Sequence, residues 1–144
     1  MKEKHTSTLF LELEKNGSFI KFADKNEENF VHSDFSEYIN QLSREKEIAP
    51  VQIIKNAQID RVYGHQLFSG TRKPSRDKVL QLAFGLGLSL EETQKLLRMA
   101  DKGSLYPKIK RDAAIVYGLN HQMQMSEMQE LLFSLDLPII GGEV

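Results

Sequence analysis

Residues Ile59 to Lys78, IDRVYGHQLFSGTRKPSRDK, bring together Arg61, Arg72, Lys73, Arg76 and Lys78, with His65, Gln66, Thr71 and Ser75 among them. Cations at this density suit a polyanion. Each guanidinium or ammonium meets one negative charge, and the interleaved amides and hydroxyls add directional hydrogen bonds. The charge map of the chain agrees. Residues 44–80 hold eight Lys/Arg and four Asp/Glu, net +4, between an N-terminal stretch 1–43 at −3 and a C-terminal stretch 81–144 at −2. A basic middle between acidic flanks points to a local polyanion site; the alternative is a solvated face.

Other chemistries find little to work with. The four histidines, His5, His32, His65 and His121, are far apart and none stands in a metal-ligand spacing such as HExxH. No glycine-rich loop follows a strand pattern, and no nucleophile stands beside a base in a recognisable motif. The expectation is therefore a non-enzyme without metal or cofactor. The chain has no Cys, so disulfides and thiolate metal sites are excluded, which suits a reducing cytosol. Near the N-terminus the only apolar run is Leu9-Phe10-Leu11, too short for a signal peptide, and no run approaches the roughly 18 apolar residues of a membrane span. The reading is a soluble cytoplasmic protein with no membrane contact.

The elements that must position the basic stretch are helical. At 40% hydrophobic and 27% charged, the 144 residues can bury one core. Apolar spacing is helical almost throughout and strand alternation never persists, so the fold class is all-α. Two helices, near Ser7–Lys15 and around Phe19–Asn29, make an N-terminal arm (1–33). Asn16-Gly17 closes the first. Asp34, with Glu37 three residues on, starts a helix carrying Phe35, Tyr38, Ile39 and Leu42 on one stripe and ending near Glu47. Pro50 opens a short helix with Val51, Ile54 and Ala57 facing inward. Asp60 caps the next, which ends at Ser69-Gly70. Tyr63 and Leu67 fall on its inward face, with Phe68 at the rim or in the next interface. Pro74-Ser75 starts another helix, and Ser89 with Glu92 forms a capping box for the one after.

From Arg76 the pattern repeats at an offset of 35. RDKVLQLAFGLGLSLEETQKLL aligns with RDAAIVYGLNHQMQMSEMQELL from Arg111. Two copies do not make a solenoid. The second is read as a helical hairpin (103–144) stacked on the first, burying Ile115, Leu119, Met125, Met128 and Leu131 as core.

Within a domain taken as 34–102, and across about residues 34–100, Asp60-Arg61, Gln66-Leu67, Ser69-Gly70, Arg72, Pro74-Ser75 and VLQLAFGLGLSLEETQKLL together resemble the lambda-repressor-like (Cro/CI or XRE) family of helix-turn-helix regulators. LYP…KRDAAIVYGL…SEMQELL looks like a longer subfamily with an added C-terminal helical hairpin. The resemblance implies a five-helix DNA-binding domain whose helix 60–69 enters the major groove of double-stranded DNA. Carried onto this chain, it places Arg61, Val62, His65 and Gln66 at base edges. Arg61 suits guanine O6/N7, Gln66 suits adenine N6/N7, and Val62 suits a thymine methyl. Thr71, Arg72, Lys73, Ser75 and Arg76 then meet phosphates. The function implied is a sequence-specific transcriptional regulator, in the manner of a repressor. The alternative is a protein-interaction adaptor that keeps the shape without binding DNA. Apolar residues outside the five-helix unit, Leu9, Phe10, Leu13, Phe19 and Phe22 in the arm and Leu135 to Ile140 in the tail, lead to the expectation of a homodimer.

Overall fold

The computed structural model describes residues 5–26 and 34–142, which contain nine α-helices and no strand. They fall into two compact units, with the boundary between His32 and Ser33. The second arm helix, expected to reach Asn29, ends at Lys25 with Asn26 as its C-cap, and positions 27–29 lie outside the described residues.

The first unit holds α1 (Thr6–Lys15) and α2 (Phe19–Lys25). Ser18 caps α2 by accepting from the Lys21 N–H at 3.3 Å. Phe22 is buried, and Asn26 donates to Glu12 Oε2 at 2.8 Å, closing the pair. Phe10 and Phe19 each remain 67% exposed.

The second unit runs from α3 (Asp34–Glu45) through α4 (Pro50–Asn56), α5 (Arg61–Ser69), α6 (Arg76–Leu86), α7 (Leu90–Met99) and α8 (Lys110–Asn120) to α9 (Met125–Ser134). A single buried cluster joins Phe35 and Leu42 of α3, Ile53 of α4, Leu67 of α5 and Leu80 of α6 to Ile115 and Met128 of the second hairpin. Asp34 lies inside the first turn of α3 rather than capping it, and the preceding position is outside the described residues. Both halves of the Ser89/Glu92 box are made: Glu92 N–H donates to Ser89 Oγ at 3.1 Å, and Ser89 N–H to Glu92 Oε1 at 3.0 Å. On α4 the inward face is Ile53, Ile54 and Ala57, while Val51 is half exposed. This helix is only two turns long and packs on both α5 and α6, so two adjacent positions, Ile53 and Ile54, turn inward and Val51 turns away.

The two copies of the repeat meet by exchange. Arg76 of the first makes a bidentate pair with Asp112 of the second, at 2.9 and 3.1 Å, and Arg111 makes one with Asp77 at 3.0 and 3.2 Å. The surrounding bonds follow the same offset of 35. Arg76 also donates to the Gly103 and Ser104 carbonyls, and Arg111 to those of Pro138 and Ile139. Asp112 accepts from the Tyr106 N–H, and Asp77 from the Gly141 N–H. Gln94 clamps both backbone groups of Leu105, as Gln129 does those of Ile140. Swapping the copies maps α6·α9 packing onto α7·α8 packing, and both are present. A translating stack would leave one Arg–Asp pair open at its end. Here both close, so the copies form a pseudo-two-fold pair.

Asp112 is almost wholly buried. Burial pushes its carboxyl pKa up, but hydrogen bonds from Arg76 and the Tyr106 N–H, with the charges of Arg76 and Arg111, outweigh this and hold it below the usual value. Asp77 behaves alike: burial raises it, and Arg111, the Gly141 N–H and Arg76 bring it down.

Candidate nucleic-acid interface

Helix α5 is fixed at both ends. Asp60 accepts from the Tyr63 N–H at 3.1 Å and so caps the N-terminus, while Gly70 closes the C-terminus with φ of 82°. Ser36 Oγ and Asn40 Nδ2 of α3 both donate to the Phe68 carbonyl at 2.8 Å, bracing the last turn. Phe68 is buried rather than at a rim. The turn before α5 places Gln58 at φ 58°, in the left-handed region that favours glycine. Gly64 lies against α4, where an added Cβ would stand 2.5 to 2.8 Å from three carbons of Ile54. The absence of a side chain lets α4 and α5 approach that closely.

At about 100° per residue, Arg61, Val62, His65 and Gln66 share an arc of about 140° on α5. Arg61, Val62 and His65 are exposed and Gln66 is half-buried. The opposite side carries Gly64, Leu67 and Phe68 into the core. One face of this helix is therefore free along two turns, offering a guanidinium, a branched apolar surface, an imidazole and an amide.

The loop after α5 folds back on it. The Arg72 N–H donates to the Gln66 carbonyl at 3.3 Å, and the Ser69 and Thr71 hydroxyls share a 3.0 Å hydrogen bond. The Arg72 guanidinium lies over the Tyr63 ring, 3.8 Å from its centroid, and Lys78 Nζ sits 5.5 Å from the same centroid. Tyr63 is thus a half-buried platform rather than purely core, and the ring holds Arg72 in one place at the surface. Thr71, Arg72 and Lys73 are exposed. Ser75 is exposed as well, with its hydroxyl accepting from the Lys78 N–H at 3.2 Å as the cap of α6.

Arg76 does not join this group. Its guanidinium is engaged by Asp112, Gly103 and Ser104, so the ion pair between the copies takes the donors a phosphate would need. The loop and first turn of α6 therefore present Arg72, Lys73 and Lys78, with Thr71 and Ser75. Lys78 belongs to the basic stretch already legible in the sequence, and the structure adds its place beside the Tyr63 ring. Among the described residues no group of three or more His, Asp or Glu side chains is placed to hold a metal ion, and no helix is long and apolar enough to cross a membrane.

Compared with protein-family models, with curated proteins and with solved structures, the chain matches none of them.

Proposed function

We propose that this protein is a sequence-specific double-stranded DNA-binding regulator of the lambda-repressor-like kind, reading the major groove with α5. The observation that carries the reading is the pairing of a free α5 face (Arg61, Val62, His65, Gln66) with an ordered cationic loop beginning one residue after the same helix ends. A groove about 12 Å wide admits one helix, and side chains near its N-terminus reach base edges. Arg72, preset over Tyr63, and Lys73 supply charge to the flanking backbone at reduced ordering cost. A repressor's mode of action and a homodimer follow from the same reading. Two half-sites bring affinity into the usual range for specific binding, and Phe10 and Phe19 offer exposed apolar surface to a second copy.

The rival is a protein-interaction adaptor with the same helices, and the withdrawal of Arg76 from the basic strip favours it. The two are separated by selection from a pool of random-sequence duplexes. The DNA reading expects enrichment of a short motif, with inverted half-sites about 34 Å apart if the protein is a dimer. An adaptor enriches nothing at physiological salt. Sedimentation at micromolar concentration tests the dimer, and a single 16.5 kDa species, unchanged with the selected duplex present, would rule it out.

A further inference from the structure

The pseudo-two-fold is followed closely by the Arg, Asp and Gln side chains that join the copies, and a polar spot around Gln81 breaks it. Gln81 and Gly141 of one half correspond, at the offset of 35, to Val116 and Tyr106 of the other. Gln81 is 4% exposed and has its hydrogen-bonding groups engaged. Its Nε2 donates to the Ala57 carbonyl at 3.1 Å and leans toward that of Gln58 at 3.5 Å, the turn between α4 and α5. Its Oε1 accepts from Lys78 Nζ at 2.9 Å. Behind it lies Gly141 at φ 69°, so close that an added Cβ would fall 2.8 Å from Gln81 Cδ and nearer still to Oε1. The second copy fixes Gly141 there. Arg111 holds the Pro138 and Ile139 carbonyls, Gln129 holds both backbone groups of Ile140, and the Gly141 N–H reaches Asp77 Oδ2.

We infer that Gln81 is a positioning residue that couples the C-terminal tail 138–141 to the basic strip: with Gly141 at its back, it holds Lys78 beside Tyr63 and Arg72 and pins the left-handed turn that aims α5. Glycine at 141 serves both its left-handed φ of 69° and the nearness of Gln81, and an amide at 81 is what the Ala57 carbonyl and Lys78 Nζ bond to. A valine, as at 116, would fill the space but leave two carbonyls and an ammonium without this partner. A ligand or partner that lifts the tail would act on Lys78 and on the turn together. The effect on DNA rests on the proposed function; the coupling itself does not.

The test uses the full chain in three forms: wild type, Gly141→Ala and Gln81→Met. In wild type, the Gln81 carboxamide protons should exchange slowly with solvent and show a nuclear Overhauser contact to the Gly141 α-protons. In both variants the Gln58 amide and Tyr63 ring signals should move, while the Ile39 and Leu96 methyls, in the core, stay in place. On duplex DNA, both variants should lower the slope of log K against log salt by about one, alike for selected and random sequences, as loss of one phosphate contact requires. A fast-exchanging Gln81 amide without the Gly141 contact in wild type overturns the proposal whether or not the variants fold. So does a folded variant with unmoved Gln58 and Tyr63 signals. If no form binds DNA, the regulatory reading fails and the spectra still decide the coupling.

Discussion

Arg76 and Asp112, one at the start of α6 and the other in the first turn of α8, form a bidentate ion pair at 2.9 and 3.1 Å that Arg111 and Asp77 repeat in reverse. The two pairs close the repeat on itself and take Arg76 out of the cationic strip. Removing one partner of a buried pair leaves a desolvated charge, at a cost of about 3–5 kcal/mol. Asp112→Ala should therefore lower the unfolding free energy by about 3 kcal/mol or more. Asp77→Ala should cost a comparable amount, since Asp77 is more exposed than Asp112 but the Arg111 it leaves unpaired is more buried than Arg76. Urea titration of the two variants checks this; small losses in both would remove the pairs as the clasp between the copies.

The same aspartates set an acid limit. Both carboxyls have folded pKa values below the ordinary one, so they contribute stability that is fully present above the unfolded value of about 3.9. That stability is lost as pH falls through the depressed folded values. Wild type should lose stability steeply below about pH 4, and Asp112→Asn, already weakened, should show a shallower loss over the same interval. Thermal melts from pH 2 to 6 measure both slopes, and parallel curves would contradict the assignment.

Gln58 and Gly64 make opposite predictions around one turn. Gln58 occupies a left-handed conformation that costs a non-glycine residue on the order of 1 kcal/mol, so Gln58→Gly should stabilise by up to about that amount. Gly64→Ala pushes a methyl into Ile54 and should destabilise by about 1–3 kcal/mol despite alanine's better helix propensity. Chemical denaturation of the pair is sufficient. A stabilising Gly64→Ala would mean that α4 and α5 are not so closely apposed.

Local signals carried much of this fold. Asp60, Gly70, Pro50 and the Ser89/Glu92 box mark helix ends through bonds that span only a few residues, and each is found at its expected place. The offset of 35 foretold a second hairpin burying Ile115, Leu119, Met125, Met128 and Leu131; the first four are buried, while Leu131 is only partly so and Leu132 is the fully buried neighbour. What escaped depends on three-dimensional crossing. Arg76 read as a phosphate ligand because its ion partner lies 36 positions away, and an Arg-Asp dipeptide in each copy does not say whether the copies stack or exchange. Tyr63 read as core because its helical phase points inward; that Arg72 comes back over its ring is set by the loop. Val51 and Ile53 exchanged roles because α4 is too short for periodicity to set its phase.

The central claim, that α5 reads bases while its following loop grips backbone, is tested most directly by two substitutions on one selected duplex and one random duplex across a salt series. Arg61→Ala should lose about 1–3 kcal/mol on the selected duplex and relax preference at one base pair, with little change on random DNA. Lys73→Ala should weaken both duplexes alike and reduce the slope of log K against log salt by about one. Equal losses on both duplexes for Arg61→Ala, or a wild type that binds neither, would contradict the account.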